Sequence, residues 1–561
     1  MTAYGIDLGT TTTLIARATQ GRGADTVEAQ IIKVNGHSFI PSFAYFLEDG
    51  SNKVGTDAKK TSIVSDKTNS KGIVRAVKRL MGRSIIFPPP IDRTPAQVSA
   101  LYLIEMLRES HFIGKDELTV TVPASFTSNQ RRDTVEALRI ACKQSGIVLA
   151  DDKFKNLLIS EPVAALLSFL AKDLERAEDR RQFNLDESPL VMVYDMGGGT
   201  LDLTVVALSW VNPHAPKSLS NVHFEVRELN RYNQFGGEDF DREIAYHLLN
   251  HLIETHPELD TWEMTDKKLG GIDKEEEPKP ELPQVHYHMI DEAERLKRQL
   301  NTEISYALPG ESPTISFDMK PLHLRGEDYG FSGWEISSDT LIGWLQPFLA
   351  HRDDPRNALY PIDLLLSRSG VAAADIRYFL TVGGMLHFEP LIAVLQQYWA
   401  NISPNTTLLT CQPPDEAVAT GAAVYSYLKS TQEKFSITEP AADAYYIRRA
   451  NSFELIMERG AHTIGEKREF HLQSGGELLR LQIFAGESLL PGQVPESVYP
   501  SLIYQGGILV PLGKKYPRDT KVWIQMQHKP DDHTKMPSLK VWVETETNLI
   551  RDIAYNELQS E

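Results

Sequence analysis

Cysteine is nearly absent: Cys142 and Cys411 are the two thiols in 561 residues. Two cannot staple a chain of this size, so a disulfide-built scaffold is excluded and a reducing compartment is expected. Positive charge is in deficit, with 58 Lys and Arg against 76 Asp and Glu and a net charge of -18. Such a chain is repelled by phosphate backbones and anionic lipid, which argues against nucleic acid and membrane surfaces as partners but allows a local basic pocket. No apolar run approaches the roughly 20 residues of a membrane helix, and the start MTAYGIDLGTTTTLI lacks a basic segment followed by an apolar one. A cytoplasmic protein is expected. Glycine (36) and proline (32) are ordinary in number, which removes fibrous and low-complexity classes. With 41% hydrophobic and 24% charged residues the chain is globular, and its length suits three or four folding units at about 150 residues each.

What is present divides in two. Up to residue 428 the pattern is mixed α/β: strand-like runs at Tyr4–Leu8, Leu118–Val122, Leu157–Ile159, Leu190–Tyr194 and Tyr378–Val382 alternate with helical stretches. Thr94-Pro95 is an N-cap and first-turn pair, and Val98, Leu101, Ile104 and Leu107 follow at helical spacing. Pro162 opens a helix, and the polar stretch near 255–285 reads as an exposed loop. Residues 429–437 read as a linker. From 438 to 548 short alternating runs (FELIME, REFHL, LLRLQIFA, GILVPL, KVWIQMQ, LKVWVET) predict a small β-sandwich, and 549–561 is expected to be a short tail with no helical lid.

One design occurs twice. YGIDLGTTTTLIARA and VYDMGGGTLDLTVVA each place an apolar strand, an Asp, a small-residue turn with Thr, and a second strand in the same order, as domain duplication would. Glycine lets a turn aim several N–H groups into one concavity suited to phosphate oxygens. Thr10, Thr11 and Thr200 add hydroxyl donors, and Asp7 and Asp195 at the strand ends can hold a divalent cation directly or through water. Two such hairpins face to face would clamp a magnesium polyphosphate. A third turn, Gly383-Gly384, allows close approach either to a flat ring such as a purine or to a packed helix.

GIDLGTT, AVKRLMGR, TVPASFTSNQRR, ISEPVAALL, VYDMGGGTLD, FGGEDFD, TVGG and PPDEAVATGAAV follow one another in this order. Together they make residues 1–428 similar to the nucleotide-binding domain of the 70-kDa heat-shock protein family, the DnaK-like chaperones of the actin-like ATPase superfamily. FELIMERGAHTIGEKREFHL and LLRLQIFAGE resemble the start of that family's peptide-binding β-sandwich. The resemblance implies a duplicated actin-like ATPase domain that uses ATP/ADP and Mg²⁺. Asp7 and Asp195 would hold the metal through its waters, while Gly9, Thr10, Thr11 and Gly197, Gly198 and Gly199 cradle phosphates. Lys78 would be the catalytic lysine, Glu161 the carboxylate of the water network, and Thr200 a neighbour of the γ-phosphate. Gly237 and Glu238 would close over the phosphates, with Gly383, Gly384 and Asp415 beside the nucleotide. Pro123 and Arg131 match the pair that couples nucleotide state to the linker. Glu294, Lys297, Arg298 and Asn301 form a polar stripe at i, i+3, i+4, i+7 that aligns with the adenosine-contacting helix. Implied partners are unfolded or extended polypeptide, a J-domain protein and a nucleotide exchange factor.

The chain departs from that pattern at identifiable places. Ser-Thr-Arg after the paired glycines is replaced by Met385-Leu386-His387, which puts His387 where an arginine stacks on adenine and implies weaker ATP binding or an altered base site. The linker KSTQEKFSITEPA offers only Phe435 and Ile437 where the family has several leucines. GGILVPLGKK mimics a phosphate loop, but its glycine spacing is one too long and no Ser or Thr follows Gly-Lys. His286 and His288 read as ordinary residues, not ligands. The expected function is therefore an ATP-hydrolysing chaperone with a lidless β domain. The alternative is a slow-ATPase adaptor for one dedicated partner. A small-molecule kinase is disfavoured by the Lys and Glu in place of an Asp base, and a filament protein by the β domain.

Overall fold

A computed structural model describes the chain apart from residues 65–71, 263–281, 487–501, 528–537 and 555–561 and some shorter stretches. Its first sheet forms because Ala3–Leu8 is apolar on both faces and can be covered on both. That strand pairs antiparallel with Thr12–Gln20 in a hairpin whose register sets Asp7 opposite Leu14, and parallel with Glu117–Val122. Val27–Ile31 and Leu158–Ser160 complete the order at the two edges. The second sheet repeats the plan: Leu190–Met196 pairs antiparallel with Leu201–Trp210 and parallel with Ile376–Val382, flanked by Thr407–Thr410 and Val222–Leu229. Each sheet thus ends its first strand in an Asp and a tight turn at the same point.

Two helices, Glu161–Leu174 and Ala417–Thr431, join the lobes. The small residues of VATGAAV are what let them close: a Cβ on Gly421 would lie 1.6 Å from the Ala164 carbonyl oxygen, and one on Gly5 would lie 2.1 Å from the Ala423 nitrogen. Separate apolar cores fill the first lobe, the joint and the second lobe. Helix starts follow sequence signals, with Thr94 and Gln97 in a reciprocal capping box before Pro95–Glu109, and Thr127 and Gln130 doing the same before Ser128–Gln144. Helix Leu282–Tyr306 buries Met289, Ala293, Leu296 and Leu300. His286 and His288 lie on this helix, and most of the polar 255–285 stretch falls outside the described residues. No helix among the described residues is long and apolar enough to cross a membrane.

Beyond the joint, two four-stranded antiparallel sheets pack face to face over a core that includes Tyr445, Ile483, Val510, Val522 and Val541. GGILVPLGKK lies inside the long strand Ile503–Tyr516 rather than in a loop. Three boundaries differ from those read in the sequence. The helix that crosses the domain end read at 428 continues to Thr431, and Ile437–Thr438, which straddles the end of the linker read at 429–437, pairs parallel with Val222–Leu229 at the edge of the second sheet. Residues Leu549–Ala554, expected to be tail, form a strand against Ser538–Val543. Strand Ala444–Arg448 carries no alternation in its sequence because Ala444 to Ile447 are all buried. Edge strands such as Leu549–Ala554 are recruited by backbone pairing, which side-chain periodicity does not report.

Candidate functional site

The two hairpin turns meet tip to tip. A Cβ on Gly198 would lie 2.3 Å from Thr11 Oγ1, and one on Gly199 would lie 2.3 Å from Thr10 Cγ2, so only glycine fits at either place. Between the tips lies a cavity of about 90 Å³. Asp7, Gly9, Thr10 and Thr11 line it from the first lobe, and Asp195, Gly197, Gly198, Gly199 and Thr200 from the second. Lys78, Glu161, Gly383, Gly384 and Asp415 complete the sequence-predicted residues found there. Gly383 is required by its neighbours: φ is +94°, and a Cβ would sit 2.4 Å from the Met196 carbonyl oxygen and 2.8 Å from Asp195 Oδ1. Its close approach is to the second hairpin's own backbone.

The Gly197–Gly199 turn is held by its carbonyls. Gly237 N–H donates to Gly197 O at 3.0 Å and Glu238 N–H to Gly198 O at 2.7 Å. The Arg79 guanidinium donates to Gly199 O at 3.1 and 2.6 Å. In a planar trans peptide N–H and C=O point opposite ways. Carbonyls pinned on the outer side therefore turn the N–H groups of Gly198, Gly199 and Thr200 the other way, as a phosphate nest requires. Gly237 and Glu238 themselves do not line the cavity. They begin helix Gly237–Thr255 and brace the turn from behind.

Charge is concentrated on the cavity floor. Lys78 sits in the single turn Val77–Leu80 that follows Ala76 at φ 49° and makes a buried ion pair with Glu161 at 2.5 Å. Glu161 is the first residue of its helix, where the aligned peptide dipoles favour an anion. Burial, with Glu161 nearby, pushes Asp7 up to about 7, although Thr121 donates a hydrogen bond to it at 3.1 Å. Burial and then the neighbouring carboxylates hold Asp195 well above the ordinary range, and burial also raises Asp202 and Glu161. Burial works against the Lys78 charge, but Glu161 and Asp7 outweigh it and raise its pKa. Four carboxyl groups around one ammonium make a donor set that calls for another cation, so a divalent ion fits here. Among the described residues no three His, Cys, Asp or Glu side chains are grouped so as to hold an ion by themselves.

The polar stripe on helix Leu282–Tyr306 lies elsewhere. Glu294, Lys297, Arg298, Asn301 and, from the neighbouring turn, His387 do not line the cavity. Lys297 pairs with Asp241 at 2.7 Å, Glu294 with Arg298 at 2.7 Å, and His387 with Asp415 at 3.3 Å. Asn301 donates to the His387 carbonyl at 2.7 Å and accepts from Glu389 N–H at 2.8 Å.

A family model described as Hsp70 protein matches residues 3–88 and 91–319, more than half of the chain. The chain belongs to the Hsp70 family. Its α/β portion accordingly has the actin-like fold that the twofold plan of sheets and hairpins displays. Among curated relatives, heat shock protein hsp-6 of Caenorhabditis elegans is 27% identical over 452 residues, covering 75% of this chain and 56% of the relative. Chaperone protein DnaK of Burkholderia cenocepacia (strain HI2424) is 26% identical over 463 residues, covering 77% and 59%. The chain thus spans little more than half the length of the curated Hsp70 proteins it matches. Pro123 and Arg131 lie in one cluster, with buried Arg131 donating to the carbonyls of Phe126 at 3.1 Å, Ala124 at 3.3 Å and Pro123 at 3.5 Å.

Two site residues were missed in the sequence. Arg79 reaches from the first lobe to Gly199 and lies 3.6 Å from both Glu238 and Asp239, so it ties the lobes together. Asp202 is buried and accepts from Ser125 Oγ at 2.8 Å beside the Lys78 pair. Their only sequence signals were adjacency to Lys78 and a place two residues after Thr200 in the repeat.

Proposed function

We propose that this Hsp70-family chain binds Mg-ATP between its two hairpins, hydrolyses it slowly, and lets the nucleotide state govern polypeptide binding by its β unit. The buried Lys78–Glu161 pair, 2.5 Å apart on the floor of a phosphate-sized cavity, carries the reading. Backbone N–H groups of Gly198, Gly199 and Thr200 and the hydroxyls of Thr10 and Thr11 bind phosphate oxygens and fix their direction. Asp7 and Asp195 hold magnesium through its waters, and the ion supplies charge neutralisation along the phosphates. Lys78 orients the attacking water and stabilises the negative charge that grows on the transferred group. Glu161 fixes Lys78 and takes a hydrogen bond from the same water, with the Thr200 hydroxyl on its other side. Positioning and charge stabilisation are the larger part of what phosphoryl transfer asks of a protein.

The relatives' printed names, heat shock protein and chaperone protein, support a chaperone role for the whole molecule. The sandwich then offers extended polypeptide a cleft at one end of its sheets, with a J-domain protein and an exchange factor as helpers. Calorimetry with ATP and ADP, with and without chelator, combined with turnover in a panel of unfolded peptides, tests both halves. Binding that weakens on chelation and turnover that rises with peptide are expected. No binding of either nucleotide at millimolar concentration overturns the ATPase reading. Stoichiometric co-purification of one protein, with no peptide bound, replaces the chaperone reading by the adaptor.

A further inference from the structure

The cleft has two ends of different character. Apart from Pro414 and Val418, the groups lining the cavity between the hairpins suit a phosphate or a cation: glycine backbone, four threonines, one ammonium and carboxylates. Among the described residues, no aromatic ring, guanidinium or carboxamide lines it. Its volume of about 90 Å³ is far below the ~300 Å³ or more of pockets that enclose a whole ligand.

At the other end the polar groups are spent on one another. Met385, only 5% exposed, packs in the apolar core of the second lobe, between the start of helix Gly237–Thr255 and Lys297. Its sulfur lies 3.7 Å from Lys297 Nζ, and a Cβ on Gly237 would meet that sulfur at 2.9 Å. The Lys297 ammonium is committed to Asp241, both side chains being 10% exposed. Both ends of the Asn301 carboxamide are committed to the backbone of the turn at His387–Glu389. Strong discrimination between ligands comes from site groups left unpaired when the wrong one binds. Here those groups are already paired in its absence, so no base leaves them orphaned.

We propose, building on the ATPase reading, that this cleft selects its ligand by the polyphosphate and reads the base weakly, with Met385 as the residue that closes the base end. Its ligand class is magnesium triphosphates in general. The sugar and base lie toward the mouth, where they make few exclusive hydrogen bonds.

Calorimetric titration of the full chain, in magnesium, with ATP, GTP, CTP, UTP and inorganic tripolyphosphate decides the matter. Dissociation constants for all five within about tenfold are expected. ATP at least a hundredfold tighter than GTP and tripolyphosphate overturns this inference and leaves the ATPase reading standing. No binding by any of the five overturns that reading itself. Met385→Ser, which removes the thioether, is expected to raise the ATP-over-GTP preference more than tenfold while tripolyphosphate affinity stays within twofold. An unchanged preference in a variant that still binds tripolyphosphate removes Met385 from the role.

Discussion

In the first hairpin the turn after Asp7 is braced by hydroxyls: Ser42 Oγ donates to Gly9 O at 2.8 Å and lies 3.0 Å from Thr13 Oγ1. In the second, the turn after Asp195 is braced by the start of a helix and by the Arg79 guanidinium. The first therefore presents threonine side chains to the cavity, and the second presents backbone N–H groups. Lys78 and Glu161 both come from the first lobe, so the buried ion pair belongs to one copy while both copies line the cavity. Duplication supplied the same strand register twice, and the neighbours packed behind each turn decided what it offers.

That division can be broken at several points. Lys78→Ala, which removes the first lobe's cation, is expected to lower single-turnover hydrolysis on the order of 10²-fold or more while ATP affinity changes much less. Quench-flow beside calorimetry reads the two apart, and equal losses would make Lys78 a binding group. Arg79→Ala strips Gly199 O of its donor and leaves Glu238 and Asp239 with Arg242 as their remaining cation, and should cost about 3 kcal/mol, since a buried charged hydrogen bond is lost. A lowered melting temperature and a tenfold loss of nucleotide affinity are expected together. Gly199→Ala pushes a methyl into Thr10 Cγ2 and should weaken nucleotide binding severalfold. Thr10→Ser in the same chain removes that carbon, and a double-mutant cycle should show recovery of part of the loss. Ser42→Ala, the first hairpin's counterpart to Arg79→Ala, should cost only about 1 kcal/mol because a neutral hydrogen bond is lost. A cost matching that of Arg79→Ala would end the proposed contrast between charged and neutral bracing.

The smallest effect concerns pH. The hydrogen bond to Asp415 raises His387 above its ordinary value, and the same bond lowers Asp415. A raised histidine stabilises the fold below its unfolded value of about 6.5, and the benefit is lost as pH rises through its folded value. The lowered carboxylate stabilises above about 3.9, and that benefit is lost as pH falls through its folded value. The melting-temperature gap between the parent and His387→Gln should therefore be widest from about pH 4 to 6.5 and close above it. Both groups are half exposed, so the gap corresponds to less than about 1 kcal/mol.

The sequence by itself determined most of the elements and the kinds of residue that line the cavity between the hairpins. Alternating strands, the Thr94 cap, the small-residue run VATGAAV and the repeated Asp–turn–Thr pattern are local, and local patterns fix local backbone geometry. Only the tertiary structure decided which groups meet. Arg79 reaches Gly199, Lys297 is consumed by Asp241, and Met385 closes against Gly237 through contacts between residues far apart in the chain. The polar stripe on Leu282–Tyr306 is visible as a periodicity, but whether its groups face a ligand or one another depends on what packs opposite. That is settled by the lobes closing on each other, a long-range packing outcome that no window of sequence contains.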